Sequence, residues 1–508
     1  MILELKRSVW GIACMTLSIL ATAQTGGAPP KTNFTVTTSA PEAAAIKKNQ
    51  TDFVDYSKGT VSVRIPLGEL PLEGYNWPLM LSYSTKGIKV NEIASSVGLG
   101  WSFNGLGTIT SKMIGRSDVV RRISTNPDTV RREFNLASHA VAALSACTYY
   151  SPVDMSIASS IATLTAAGLP DFLPDIFYLN IGQLNYKFFL EDTVGYTIPA
   201  SNVKIRLNRN PPYRFIVTDE EGVNYYLSAK GGNEFTTDCP GQKRNMSDPN
   251  YVFYVDSLRT AFGDLVRYHY SGQYIYYEST PIKTRNERNG VISVGDVCAE
   301  FQPQDLTTCT ANYNASEARL DSVVTSQGSR VIFAYASRSD LQPNGTPSGS
   351  RMMGFSIYND SREVWKVVFQ QDYFGPSGSS NPNLLRLKLN KVQLVNPLNN
   401  NDVKEYAFNY NATELPDRTS YAQDTAGYYN GQEGNTSLIP HYDNRSFSEF
   451  YTKAGILEKV IFPEGGSSRF EYELNTTGEG GLRVRKIIDS NGITNVIRKY
   501  SYTLYGLK

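Results

Sequence analysis

The sequence predicts an all-β fold: repeated antiparallel β-hairpins joined into one large twisted or spiral sheet, with a short helical insertion near 136–169. Three observations predict it. The first is Ile456 to Leu474, where Val460 and Phe462 lie on one face of a period-two segment and Phe470, Tyr472 and Leu474 on one face of another. Pro463-Glu464-Gly465-Gly466 joins the two, which is a hairpin signal. The second is recurrence. Leu457 with Val460 closes at Phe470-x-Tyr472, Val255 with Leu258 at Tyr268-x-Tyr270, and Leu320 with Val323 at Phe333-x-Tyr335, each spanning fifteen residues from first apolar residue to final tyrosine. Leu389 with Val392 closes at Phe408-x-Tyr410 and Val484 with Ile487 at Tyr500-x-Tyr502, with longer turns, as hairpins tolerate because strand pairing fixes register while loop length is cheap. The third is composition: 33 Tyr, 22 Phe and 40 Gly with only 19% charged residues suit half-exposed strands separated by turns. A two-stranded unit cannot bury its apolar face alone, so the units must stack on their neighbours.

In chain order, residues 1–23 have the form of a secretory signal peptide: Lys6 and Arg7, the apolar run Val9 to Leu20, then Ala21-Thr22-Ala23 before Gln24. That run is too short to span a bilayer, so no transmembrane span is expected in the mature chain. A lipoprotein-like Gly11-Ile12-Ala13-Cys14 has too few apolar residues before its cysteine. Removing the signal leaves 47 basic and 47 acidic residues out of 49 and 48, a neutral chain without an electrostatic footprint for nucleic acid. Residues 24–50 form a polar lead-in with one possible helical turn at Pro41 to Ala45. Residues 51–230 form an N-terminal β region, in which Thr60 to Pro66 alternates cleanly and a strand from Leu79 runs on toward Ile88 and Val90. Within it, Gly98, Gly100, Gly105 and Gly107 surround Trp101 and Phe103. A phosphate loop would need a third glycine or a Gly-Lys-Ser/Thr, so the run reads as a tight corner between strands. Leu136 to Leu169, rich in Ala and Ser, suits the helical insertion. Asp175 to Leu190 and Tyr213 to Leu227 read as strand pairs, the latter turning at Asp219 to Gly222. Residues 231–508 form the hairpin-repeat region, with loops at Gly231 to Asn250, Arg285 to Asn312, Gln342 to Ser350 and Gly375 to Asn383.

Several of these runs resemble the N-terminal part of secreted bacterial RHS/YD-repeat proteins. They are GTVSVRIPL (Gly59 to Leu67), GIKVNEIASSVGLGWSFNGLGTIT (ending at Thr110), DIFYLNI (Asp175 to Ile181), GYYNG (Gly427 to Gly431), GILEKVIFPEGGSSRFEYE (Gly455 to Glu473) and GLRVRKI (Gly481 to Ile487). The resemblance implies a spiral shell of hairpins, which in some relatives encloses a C-terminal toxin, and hence partners such as further RHS-type repeats or a cargo or toxin chain. The departures are specific: the one Tyr-Asp pair, Tyr442-Asp443, is not followed by the family's glycine, and no Asp-Pro-x-Gly-Leu signature is present.

Catalytic chemistry finds little purchase. Of the three histidines, His139, His269 and His441, His269 sits in the Tyr268-x-Tyr270 strand and points away from its aromatic face, and nothing next to His441 fixes a tautomer or supplies a nucleophile; no Gly-x-Ser-x-Gly elbow occurs. Glu471 and Glu473 share the strand face opposite the aromatics and read as a solvated stripe. Of the cysteines left after export, Cys147, Cys239, Cys298 and Cys309, the pair Cys298 and Cys309 is expected to form a disulfide across one short loop, since zinc would need closer spacing. One region could hold a ligand: Asp417, Tyr421, Asp424, Tyr428, Tyr429, Tyr442 and Asp443 gather in the irregular stretch 411–448, a mixture able to stack on a sugar ring or hold a cation. Two function classes follow. One is a secreted or cell-surface scaffold with no cofactor and no catalysis, whose last hairpin, built on Tyr502, awaits further repeats or a partner. The other is a glycan-binding or glycan-acting surface protein using 411–448.

Overall fold

The structure, a computed structural model, describes residues 53–55, 59–73, 75–105, 107–112, 117–120, 174–182, 184–237, 250–278, 280–284, 307–341, 348–399, 401–438, 443–475 and 480–502. The expected signal peptide, the lead-in, the helical insertion near 136–169, His139, His441, Tyr442, Cys147, Cys239 and Cys298 lie outside the described residues. The Cys298–Cys309 pairing therefore lies outside them too.

A first sheet holds β1 (Phe53–Asp55), β2 (Thr60–Leu72), β3 (Tyr75–Ser84) and β4 (Trp101–Phe103) in that order. The second sheet, of 19 antiparallel strands, closes into a barrel-like shell. It begins with β5 (Thr108–Lys112), β6 (Ile176–Ile181), β7 (Leu184–Glu191), β8 (Val194–Ile198), β9 (Lys204–Asn208), β10 (Arg214–Thr218), β11 (Asn224–Thr237) and β12 (Asn250–Arg259). These eight form a ring, because β12 returns to β5 through Phe253 opposite Ile109 and Tyr254 opposite Thr108. The ring is filled rather than hollow: Phe177, Phe188, Phe215 and Phe253 meet inside it at centroid distances of 4.7 to 5.8 Å. From the ring the sheet runs on through β13 (Leu265–Glu278), passes the separate pair β14 (Ile282–Thr284) and β15 (Thr307–Cys309), and continues with β16 (Ala311–Thr325), β17 (Ser329–Ser337), β18 (Ser350–Asn359) and β19 (Arg362–Phe374). It ends with β20 (Arg386–Val395), β21 (Val403–Tyr410), β22 (Leu457–Ile461), β23 (Ser467–Leu474), β24 (Leu482–Ser490) and β25 (Asn495–Lys499).

All five aromatic-x-tyrosine units are antiparallel hairpins of this sheet. Their spacing has one physical cause. In each, the final tyrosine hydroxyl donates to the carbonyl of the unit's first apolar residue: Tyr270 to Val255 at 2.8 Å, Tyr335 to Leu320 at 2.8 Å, Tyr410 to Leu389 at 2.6 Å, Tyr502 to Val484 at 2.6 Å, and Tyr472 to Leu457. The ladder slips by one residue at Tyr270, Tyr335, Tyr410 and Tyr472, and such a bulge re-aims a side chain. Across the slip Tyr270 faces Leu320, Tyr410 faces Leu457 and Tyr472 faces Val484, so each unit ends against the start of the next.

The same steps disclose a sixth unit that the sequence pattern did not reveal. Tyr335 faces Met352, the hairpin β18–β19 closes at Phe369-x-Gln371, and Gln371 faces Leu389 across its own slip. Gln371 stands where the tyrosine would be, and its amide donates instead to the Val97 carbonyl at 2.7 Å. Met352 N–H donates to Ser96 at 2.8 Å. The glycine-tryptophan corner is thus seated on the unit that lacks its tyrosine.

The first sheet packs against the aromatic face of the units, sharing one hydrophobic core with them. Trp101 Nε1 donates to the Tyr410 hydroxyl at 2.8 Å, Leu457 N–H donates to the Tyr83 hydroxyl at 3.0 Å, and Trp77 meets Tyr268 edge-on at 5.6 Å. The corner works as expected. Gly100 has φ +75°, and a Cβ there would sit 2.5 Å from the Tyr83 ring. At Gly107 a Cβ would lie 2.6 Å from Val255, and at Gly105 2.5 Å from Phe103.

Three sequence expectations are corrected. The strand from Leu79 ends at Ser84, and Ile88 and Val90 lie in irregular chain held by loops of the shell. Residues 231–237 are strand, not loop, because β11 pairs with β16 from Gly232 opposite Ser316 to Thr237 opposite Ala311, beyond the end of its pairing with β12 at Asn233. The expected loop 285–312 contains β15, and β16 already begins at Ala311.

Alternate connections of an antiparallel ladder fall at alternate ends. From β12 onward the short turns at 260–264, 326–328, 360–361, 396–402, 462–466 and 491–494 therefore share one rim, and the connections at 338–349, 375–385, 411–456 and 475–481 share the other.

Candidate functional site at the long-loop rim

The long-loop rim gathers most of the unusual polar chemistry. Alternation in β17 carries Arg338 and Asp340 past the strand end, where both are buried at 2% and 0% exposure. The guanidinium grips the carboxylate twice, Nε to Oδ1 and Nη2 to Oδ2, each at 2.8 Å, and Nη2 also donates to the Ala94 carbonyl at 3.1 Å. Asp340 accepts a third bond from Leu387 N–H at 3.0 Å. Burial alone would raise the carboxyl's pKa, but the Arg338 bonds hold it below the ordinary value.

Two further arginines lie beneath the surface. Arg386 Nη1 donates to Asn383 at 2.6 Å and to Leu385 at 3.3 Å, while Nη2 donates to Val90 at 2.9 Å and Pro416 at 3.3 Å, all of them backbone carbonyls. Arg418 Nη1 donates to the Asp340 carbonyl at 3.2 Å and Nη2 to Asn383 Oδ1 at 2.7 Å. Burial pulls the Arg386 pKa down to about 9, with Arg418 adding to the fall and Asp417, Asp340 and Glu92 opposing it. Burial likewise pushes the Glu92 carboxyl up. Four segments, 90–95, 338–340, 383–387 and 416–418, are tied through one buried polar centre. Nothing in the sequence singled out these arginines, because a charged residue reads as solvated until tertiary contacts bury it.

The expected ligand residues sit directly above. Asp424 Oδ1 accepts from Ala426 N–H at 2.8 Å and Tyr428 N–H at 3.0 Å, closing a turn. Asp417 accepts from Thr419 N–H at 2.8 Å and from Asn381 Nδ2 at 3.1 Å. Asp443 accepts from Ser437 N–H at 2.8 Å and its hydroxyl at 2.6 Å. Tyr428 is buried under the Lys89 ammonium, 5.7 Å from its ring centroid. Tyr429 packs on Tyr451 at 5.0 Å and donates its hydroxyl to Glu433 at 2.7 Å. Half-buried Tyr421 lies beneath Lys283 at 5.3 Å, and Lys283 also lowers the Asp443 pKa, after the Ser437 bond that dominates that shift. The fold thus brings Tyr421, Lys283 and Asp443 together, and turns Tyr428 and Tyr429 inward. Val90 N–H bonds to the Gly427 carbonyl at 3.0 Å, so this loop too holds the segment after β3.

Chemically the rim is a fastening. Its carboxylates accept from backbone N–H groups, arginine and neighbouring side-chain amide or hydroxyl groups, and its arginines donate to carbonyls and to the Asp340 carboxylate. His269 is exposed on β13, away from the rim. Among the described residues no three His, Cys, Asp or Glu side chains are placed to hold a metal ion, and no helix is long and apolar enough to cross a membrane.

No family model matches the sequence, and no curated protein matches it. Among solved structures the chain is similar to the crystal structure of TcdB2-TccC3-Cdc42, with a TM-score of 0.34 and 10% identity over 70% of this chain and 16% of that one. It is similar to the Tc holotoxin pore of Photorhabdus luminescens carrying a TccC3 mutation, with a TM-score of 0.34 and 11% identity over 85% of this chain and 19% of that one. It is also similar to the N-terminal domain of the effector protein SpvB from Salmonella typhimurium strain LT2, with a TM-score of 0.31 and 11% identity over 66% of this chain and 98% of that one. The chain spans under a fifth of the length of the first two.

Proposed function

We propose that this chain is a non-enzymatic β-shell scaffold, exported through its N-terminal signal and working at the cell surface or in a toxin system of the RHS type. The observation that carries the reading is the tyrosine-to-carbonyl bond repeated in all five units, which commits the hydroxyl that closes each unit to architecture. The polar centre of the rim supports it, since its charges join loops to one another. Glycan binding at 411–448 has less in its favour, because Asp417, Asp424 and Asp443 already accept hydrogen bonds within their own loops. Exported protein, offered a panel of ester, glycoside and peptide substrates, is expected to turn over none. Turnover that Asp417→Asn, Asp424→Asn or Asp443→Asn abolishes without lowering Tm overturns the reading.

A further inference from the structure

We infer that a cavity between β2 of the first sheet and strands β17 to β19 of the shell is a binding site for one ring of a neutral sugar. The cavity has a volume of about 360 Å³ and is lined by Leu70 and Pro71 of β2, Ser329, Tyr358 and Asn359 of the shell, and Trp365. That lies within the range of small-ligand pockets, roughly 300–1,000 Å³. It is separate from the rim described above, and the inference does not rest on the scaffold reading.

Two bulges facing one another across the seam create it. In β2 the ladder slips between Pro66 and Gly68, which leaves Leu67 unpaired with β3. The Leu67 carbonyl accepts from Trp365 Nε1 at 2.7 Å instead. Gly68, at φ +151°, lets the backbone pass the indole, for a Cβ there would lie 3.3 Å from Nε1. In β19 the second slip leaves Val364 opposite no residue of β18, between the pairs Ile357 with Trp365 and Tyr358 with Glu363. Val364 is 40% exposed in consequence. Bulges that re-aim side chains are common beside binding sites, and here they bring an indole fixed by a hydrogen bond and a phenol ring to one opening. The Arg330 guanidinium lies over the Tyr358 ring, 4.9 Å from its centroid.

The lining selects the ligand class. A pyranose offers C–H faces that stack on aromatic rings and an equator of hydroxyls that seek amide and carboxylate partners. Trp365 and Tyr358 supply the faces, and Asn359, Ser329 and Glu69 the edge. Glu69, the charged side chain of the lining, disfavours an anionic ligand.

Tryptophan fluorescence reads the site directly, because Trp77 and Trp101 are buried at 3% and 2% exposure while Trp365 is partly exposed. Full-length exported protein is titrated with maltose, cellobiose and chitobiose. A saturable shift with half-saturation on the order of 1 mM is expected, as few heavy atoms contact the site. Tyr358→Ala and, independently, the surface change Asn359→Ala should each raise the half-saturation at least tenfold while Tm stays put. No saturable shift with any of the three, or one that both variants leave unchanged, overturns the inference.

Discussion

A tyrosine hydroxyl bonded to a carbonyl at the start of its own hairpin fixes two things at once: where the strand bulges and how far the next unit may slide. Tyr472→Phe keeps the buried ring and leaves the Leu457 carbonyl without its donor, so it should cost about 1–2 kcal/mol. Tyr472→Ala, which also empties a site 3% exposed, should cost about 3–5 kcal/mol. Urea midpoints at constant m-value check both, and equal losses for the two variants would show that the hydroxyl contributes nothing. The buried arginines act differently, since each joins segments far apart in sequence. Arg386→Met leaves four carbonyls short of a donor and should destabilise by about 3–5 kcal/mol, read by the same midpoints. Asp340 gives the rim its acid sensitivity. Its folded pKa lies below the ordinary 3.8, so its stabilisation is complete above about pH 4 and is lost as pH falls through the folded value. Glu92 has the opposite sign: burial raises its pKa, so protonation favours the fold as pH falls. Asp340→Asn should therefore lower stability at pH 7 and flatten its decline between pH 4 and pH 2, and an unchanged slope would remove Asp340 as the cause.

At the scale of elements, the missing tyrosine of the sixth unit is as informative as the five that are present. Gln371 gives up the bond within its unit and takes the Val97 carbonyl, so the corner 95–99 is positioned by an exception in the repeat. Gly100→Ala puts a Cβ against Tyr83 in a backbone conformation that alanine resists, and should cost about 2–4 kcal/mol. Replacement of Gly465, where a Cβ would meet nothing within 4 Å, should cost less, about 1 kcal/mol, from its positive φ alone. Thermal melts of the two variants separate close approach from backbone strain. The repeats were legible because period-two alternation and a fixed spacing are local facts. The sixth unit was not, because its identity lies in register against Leu389 rather than in its own residues.

For the whole molecule, the first sheet is part of the core rather than an appendage, sharing buried side chains from Val61 to Phe103 with the shell. Amide exchange in β2 and β3 should therefore proceed at the rate of global unfolding, as in β16 and β20, while β25, bonded to β24 alone and largely exposed, should exchange orders of magnitude faster. Fast exchange throughout β2 and β3 would instead make that sheet a separable unit. By itself the sequence determined the class, the antiparallel hairpins, the tyrosines that close them and the glycines of the corner, because strand alternation, turn chemistry and steric demand act over a few residues. Only the tertiary structure decided that eight strands close on Phe177, Phe188, Phe215 and Phe253, that the first sheet covers the aromatic face, and that Arg338, Arg386 and Arg418 are buried about Asp340. Those outcomes depend on which surfaces meet after the chain has turned back on itself many times, and burial of a charge is set by that meeting, not by the residues beside it in sequence.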